Sequence, residues 1–181
     1  MGGGMSRVAV RRYTAADRAA VLAIFDSNLP EYFGAGDRAW LEETLDEPDG
    51  PAFVVTVDGD PAAFGGYELW DHYNKALLYW GMAGRAWHGA GLGRLLLFAR
   101  LFDIACHAAP PTRYVTVDTS DLVAPFFRRH GFAITRVWPE GYRSGMTMHE
   151  LHYDLVATTP AALAEERDAA LAAAEAAVAR R

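Results

Sequence analysis

Trp87-His88-Gly89-Ala90-Gly91-Leu92-Gly93-Arg94 is the stretch on which the reading of this chain turns. It lies between Ala76–Ala83, an apolar β-type run, and Arg94–His107, where apolar residues recur at helical spacing. Glycine at alternating positions lets the backbone approach a ligand with no side chain in the way. The first N–H groups of the following helix have no intrahelical acceptor, and the helix dipole favours an anion there. Arg94, with Arg85 and His88 nearby, adds positive charge. The stretch reads as a phosphate or pyrophosphate cradle, with a plain tight turn as the alternative. A P-loop is excluded, because Gly93-Arg94-Leu95 stands where Gly-Lys-Ser/Thr is needed. A dinucleotide fingerprint would follow the first strand of its domain, whereas this loop lies mid-chain behind a meander.

Working outward, Arg7–Arg12 alternates as a short strand, and Thr14 with Asp17 opens a helix that runs to about Leu29. A second short helix starts at Gly36-Asp37 and stops at Pro48-Asp49-Gly50. Ala52–Val57 and Ala62–Leu69 form a hairpin about Asp58-Gly59-Asp60, and Ala76–Ala83 follows. Beyond the glycine loop and its helix come a strand at Tyr114–Asp118, a helix at Leu122–His130 closed by Gly131, and strands at Phe132–Val137 and His149–Leu155. The order β-α-α-β-β-β-α-β-α-β-β predicts an α+β, or mixed α/β, single domain. The organisation expected is a flexible leader at 1–6, the main domain at 7–157 and an Ala-rich helical tail at 158–181. Eleven of the 24 tail residues are alanine, and Leu163, Leu171 and Val178 make a narrow stripe. The tail is expected to be exposed or loosely docked, with dimerisation as its functional alternative.

The chain has 181 residues, enough for a full core without disulfides or a structural metal. A hydrophobic share of 51% excludes a disordered chain. No apolar run nears the ~20 residues of a membrane span. The net charge of −6 argues against nucleic acid as a partner. Of 17 basic residues only Lys75 is a lysine. The lone Cys106 excludes an internal disulfide and is expected to be a buried, inert thiol. The histidines show no metal-ligand spacing, so no metal is expected. Nothing at the start resembles a signal peptide, which makes the cytoplasm the expected compartment.

His88-Gly89-Ala90-Gly91-Leu92-Gly93 resembles the pyrophosphate loop of the GNAT superfamily of acyl-CoA N-acyltransferases. Asp118–Phe132, with Ala124, Phe126-Phe127 and the closing Gly131-Phe132, resembles its second hallmark. The likeness spans roughly residues 7–155 and leaves out the tail. It implies a central, mostly antiparallel sheet with one splayed strand pair, helices on both faces, and acetyl-CoA as co-substrate. It also implies that Ala76–Ala83 offers backbone N–H groups to the pantetheine arm, with an oxyanion donor near Met82-Ala83. His88, Gly89, Ala90, Gly91, Leu92, Gly93 and Arg94 would hold the pyrophosphate, and Ser120, Phe126 and Phe127 would lie near the cofactor. Four departures stand out. Phe127 occupies the usual place of a tyrosine that protonates the leaving thiolate, Ser120 that of an asparagine and His88 that of Gln or Arg, and Ala76–Ala83 lacks the family's frequent strand glutamate.

The implied reaction is direct attack by a neutral amine on the thioester, which needs a base, an oxyanion donor and close positioning. Candidate bases are Glu68, Asp71 and Asp118, the last also suited to capping the next helix. Candidate acids are Tyr79 and Tyr142. Among a plentiful aromatic supply, Trp70 is a candidate for an acceptor pocket, where aromatic walls suit a cationic amine. In the family the region Asn28–Gly36 shapes the acceptor site, which singles out Glu31, Tyr32 and Phe33, and Pro139–Gly145 is expected as a flap. The function expected is N-acetylation of an unidentified primary amine of a small molecule or peptide, with the oligomeric state left open and a homodimer as one alternative. The alternatives are a CoA-binding module without turnover and an interaction protein that uses the tail helix.

Overall fold

The computed structural model describes residues 7–108, 112–143 and 146–181, with side chains except those of 142 and 143. The proposed leader lies outside the described residues. The fold is a mixed α/β arrangement around a seven-stranded sheet in the order β1-β2-β3-β4-β5-β7-β6. The strands are β1 (Val8–Arg12), β2 (Ala52–Val57), β3 (Asp60–Trp70), β4 (Lys75–Ala83), β5 (Tyr114–Ser120), β6 (Ala133–Arg143) and β7 (Met146–Asp154). The helices are α1 (Arg18–Ser27), α2 (Asp37–Asp46), α3 (Leu92–His107), α4 (Ala124–Arg129) and α5 (Pro160–Val178). The glycine stretch lies between β4 and α3, as its sequence context predicts.

Every strand pairing is antiparallel except β4 with β5, which run parallel. A parallel neighbour needs a crossover, and α3 supplies it. The parallel contact is short: Lys75, Ala76 and Leu77 pair with Tyr114, Val115 and Thr116. Past that point β4 continues to Ala83 and β5 to Ser120 without pairing to each other, so the sheet opens into a V.

Each face of the sheet has its own core. On one, Tyr67, Leu78, Val115, Val117 and Leu151 pack against Leu95, Leu97, Leu101 and Ile104 of α3 and against Ala124 and Phe127 of α4. On the other, Val54, Phe64, Trp80 and Met82 pack against Val21, Phe25, Leu41 and Leu45 of α1 and α2. The chain enters α1 through Asp17, which is 5% exposed. Arg11 donates to both its carboxylate oxygens at 2.7 Å, and the Thr14 amide donates to Oδ2 at 2.9 Å.

Two expectations are corrected. The tail is neither exposed nor loose: α5 packs along α3 and reaches β1. Its buried stripe is Leu163, Ala170, Ala174 and Val178, with Leu171 only partly buried. Alanine has no side-chain length to hold two helices apart, so the composition that looks featureless in sequence permits close approach. Cys106 is exposed, because it follows Ile104 in the last turn of α3 and points away from the core. Among the described residues no helix is long and apolar enough to cross a membrane. Among them, too, no group of His, Cys, Asp or Glu is arranged to hold a metal ion.

Candidate active site

The open edge of β4 is shaped by one irregularity. Gly66 of β3 faces Tyr79, but Phe64 faces Met82, so β4 carries an extra residue and Trp80 and Gly81 together lie opposite Gly65. That is a β-bulge, a feature that bends a strand and re-aims its backbone groups. Trp80 adopts φ +49°, uncommon for a bulky residue. Strain of about 1–3 kcal/mol persists only where the surroundings over-determine the conformation. Here the indole Nε1 donates to Thr44 Oγ1 at 3.1 Å, and the ring packs against Trp40, Phe33 and Phe25 at centroid distances of 4.8, 5.8 and 6.1 Å. The bulge lies one to two residues before Met82-Ala83, where the family resemblance implies an oxyanion donor. Gly81 inside an apolar strand is the sequence signal that marks it. Met82 itself points into the α1–α2 core.

Beyond Ala83 the loop makes a short turn at Arg85–Trp87, and Ala90 N–H closes onto Trp87 O at 3.1 Å. Gly89 and Gly91 have φ of +78° and +83°, a region that side chains avoid. The first α-helical bond is Leu95 N–H to Gly91 O at 3.1 Å. The amides of Leu92, Gly93 and Arg94 precede it and have no acceptor within the helix. A Cβ at Gly93 would lie 3.8 Å from the ring of Phe126, so α4 closes the cradle on that side.

The cations expected at the cradle are bound to carboxylates. Arg85 pairs with Glu31 at 2.7 Å and Arg94 with Glu166 of α5 at 2.8 Å. The attraction for an anion therefore rests first on backbone N–H groups. His88 turns its ring back, with Nε2 3.1 Å from Ala83 O and Tyr32 edge-on at 5.4 Å. Arg181, just past α5, donates to Ala86 O and, at 2.6 Å, to His88 O. No local pattern in the sequence marks this tie, nor a groove of about 390 Å³ between α3, α4 and α5 lined by Arg94, Phe98, Arg129, His130, Tyr153 and Glu166.

Three of the acid–base candidates, Asp118, Glu68 and Tyr79, share the sheet face opposite α3, since their neighbours Val117, Tyr67 and Leu78 enter the α3 core. Asp118 projects there, since its neighbours Val117 and Val115 enter the α3 core. It does not cap a helix: it stays within β5, directly across from Glu150, and α4 begins only at Ala124. His152 Nε2 lies 3.2 Å from Glu150 Oε1. Burial, then Glu150, raises the Asp118 pKa above the ordinary carboxylate value, opposed by Lys75 and His152. Tyr79 lies over Gly66 and donates to Gly50 O at 3.3 Å. Burial pushes its pKa up to about 12, with Asp49 and Glu68 adding to the rise. Glu68 accepts from the Trp70 indole. Asp71 lies in the turn after β3. The Tyr142 side chain and the tip of the proposed flap lie outside the described residues.

Ser120 is buried at the end of β5, and Phe127 is 5% exposed within the α3 core. Of the acceptor candidates, Glu31, Tyr32 and Phe33 gather beside Arg85, His88 and Trp80. Trp70 does not join them. It pairs with Lys75, whose ammonium sits 4.4 Å from its ring centroid, seven residues along β3 from the Ala63–Ala83 pair. That separation is about 20 Å.

The sequence model of the Acetyltransferase (GNAT) family matches residues 21–132, more than half of the chain. No curated protein sequence matches. Among solved structures, one from Desulfovibrio desulfuricans assigned to the GNAT family is similar with a TM-score of 0.70 and 24% identity, over 82% of this chain and 99% of that one. Ard1 from Thermoplasma volcanium is similar at TM-score 0.64 and 20% identity, over 81% and 97%. A GNAT family acetyltransferase from Elizabethkingia anophelis with acetyl-CoA bound is similar at TM-score 0.64 and 11% identity, over 82% and 98%. At these identities the structural likeness carries the fold alone.

Proposed function

The chain belongs to the acetyltransferase (GNAT) family, and from that premise we propose that it moves the acetyl group of acetyl-CoA onto a primary amine by direct attack. The observation that carries the reading is the V between β4 and β5, open beside a glycine loop that leads into α3. A pantetheine arm is itself an amide chain and can pair with the free edge of β4, as a strand would. Its pyrophosphate would meet the amides of Leu92, Gly93 and Arg94, and the groove between α3, α4 and α5 offers Arg129 and His130 to the adenosine phosphate.

The acceptor would enter from the α1–α2 face. Its nitrogen attacks the thioester carbon, and a backbone N–H at the Trp80-Gly81 bulge stabilises the oxyanion. The C–S bond then breaks and the amine proton passes to a base. Asp118 is the first choice for that base, because its raised pKa brings a carboxylate nearer to the working pH. Glu68 is the second. The thiolate takes its proton from a hydroxyl or from water. Phe127 has none to give, which leaves Tyr79, whose high pKa keeps it protonated, and Tyr142. CoA binding without turnover is the second reading, and the apolar surroundings of Phe127 support it. The reading of α5 as an interaction helix loses ground, because α5 buries its apolar stripe against α3 of its own chain.

Calorimetric titration with acetyl-CoA tests the site. Micromolar binding is expected, and Gly91→Glu, which strains the +83° turn that opens the cradle and drives a carboxylate against Ala174 of α5 beside it, is expected to abolish it. A panel of amines assayed by free-thiol release then separates the enzyme from the module. No binding to the intact protein would overturn the acetyltransferase reading.

A further inference from the structure

Arg100 is a cation in an apolar core. It projects from the middle of α3 between Leu97 and Leu101, both fully buried, and is itself 2% exposed. A buried charge is normally paired with one of opposite sign. Among the described residues no carboxylate forms an ion pair with this guanidinium; burial lowers its pKa to about 10, opposed by Tyr79. It remains protonated at neutral pH.

Its partners are three backbone carbonyls. Nε donates to Leu96 O at 3.3 Å, and Nη1 donates to Gly66 O at 3.1 Å and to Tyr79 O at 3.4 Å. The last two belong to the cross-strand pair that borders the bulge on one side. Two glycines make the room: a Cβ at Gly65 would lie 3.0 Å from Nη1, and one at Gly81 would lie 3.1 Å from Nη2. The guanidinium thus fills the space where β3 and β4 fall out of register. The Tyr79 carbonyl belongs to the same peptide plane as the Trp80 N–H, and in a trans peptide the two point in opposite directions. A positive charge on the carbonyl holds that plane in one orientation. It also polarises the amide and strengthens its N–H as a donor on the far side.

We propose that Arg100 is a positioning residue for acetyl transfer: it locks the β4 bulge and polarises the Tyr79–Trp80 peptide, so that the thioester carbonyl meets an oriented, charge-assisted donor. This rests on the acetyl-CoA reading above. It gives the buried cation a task that core packing does not, since a methionine of similar length fills the same volume without a charge.

The test is the 13C carbonyl resonance of [1-13C]acetyl-CoA bound to the full chain, read beside calorimetric affinity and circular dichroism. In the native protein the resonance is expected downfield of free acetyl-CoA. In Arg100→Met it is expected to return toward the free position while Kd, set by the glycine loop, stays within about threefold. Once an accepting amine is known, kcat is expected to fall at least about tenfold with KM for acetyl-CoA unchanged. If Arg100→Met fails to fold, Arg100→Lys replaces it. Lysine keeps the charge but not the planar guanidinium, whose Nε anchors on Leu96 O while Nη1 meets both strand carbonyls, and less than half of the native shift is expected. A folded variant of either kind with the full native shift overturns the proposal. So does a native protein that binds acetyl-CoA without moving the resonance, though CoA binding then stands. A native protein that binds no acetyl-CoA overturns both.

Discussion

Asp118 is held in an environment that disfavours its ionised form, and the sign of that effect separates stability from activity. A carboxyl whose pKa is raised in the folded state adds stability that is fully present below its ordinary value and is lost as pH rises through the folded one. At neutral pH the ionised side chain, crowded by burial and Glu150, works against the fold. Asp118→Asn is therefore expected to raise Tm at pH 7 and to remove the ascending acidic limb of the pH–rate profile. A higher Tm with an unchanged profile would shift the role of base to Glu68. Asp17 shows the opposite sign. The hydrogen bonds from Arg11 hold its carboxyl below the ordinary value, so its contribution is present above the carboxylate range and fades as pH falls toward the folded pKa. Asp17→Asn is expected to cost roughly 1–3 kcal/mol at pH 7 by chemical denaturation. The gap to the native protein should shrink below about pH 4.

Among the elements, α5 is the one that sequence patterning describes least well. Leu163 and Val178 stand out as apolar, but Ala170 and Ala174 carry the packing between them, and alanine in an alanine-rich helix marks no face. The link from α5 to the glycine loop is equally hidden, since Arg94–Glu166 and Arg181–His88 join residues more than seventy positions apart. By contrast the glycine loop, the hairpins and the α3 crossover are local patterns, and their order along the chain matches the fold. The bulge falls between these cases: Gly81 hints at it, but the register that creates it depends on β3. Arg181→Ala is expected to leave Tm nearly unchanged. By untying two loop carbonyls it should weaken acetyl-CoA binding by about 0.5–1.5 kcal/mol, read by calorimetry. Deletion of Pro160–Arg181 uncovers the outer face of α3 and should lower both Tm and affinity.

For the molecule as a whole, the sheet is two halves joined by three residues on each side. β1–β4 carry the bulge and the α1–α2 core, and β5, β7 and β6 carry Asp118 and Glu150. The proposed chemistry draws on both halves, so a ligand lying between them should act on global stability. At a hundred times its Kd, acetyl-CoA should stabilise the native state by about 2.7 kcal/mol, read as a rise in Tm. Amide exchange should slow at Tyr79–Ala83 more than elsewhere in the sheet. Equal slowing across all strands would mean that the ligand does not pair with the edge of β4.

Lys75 closes the narrow end of that V, its ammonium held over the Trp70 and Tyr73 rings at 4.4 and 5.7 Å. It is also the sole lysine of the chain. Thioesters acylate exposed ε-amines spontaneously, and a protein that concentrates one on its surface is its own nearest target. Arginine, protonated throughout the accessible pH range, is inert to that attack. With its positive charge carried almost entirely by guanidinium groups, this surface would face the proposed acyl donor with little self-modification.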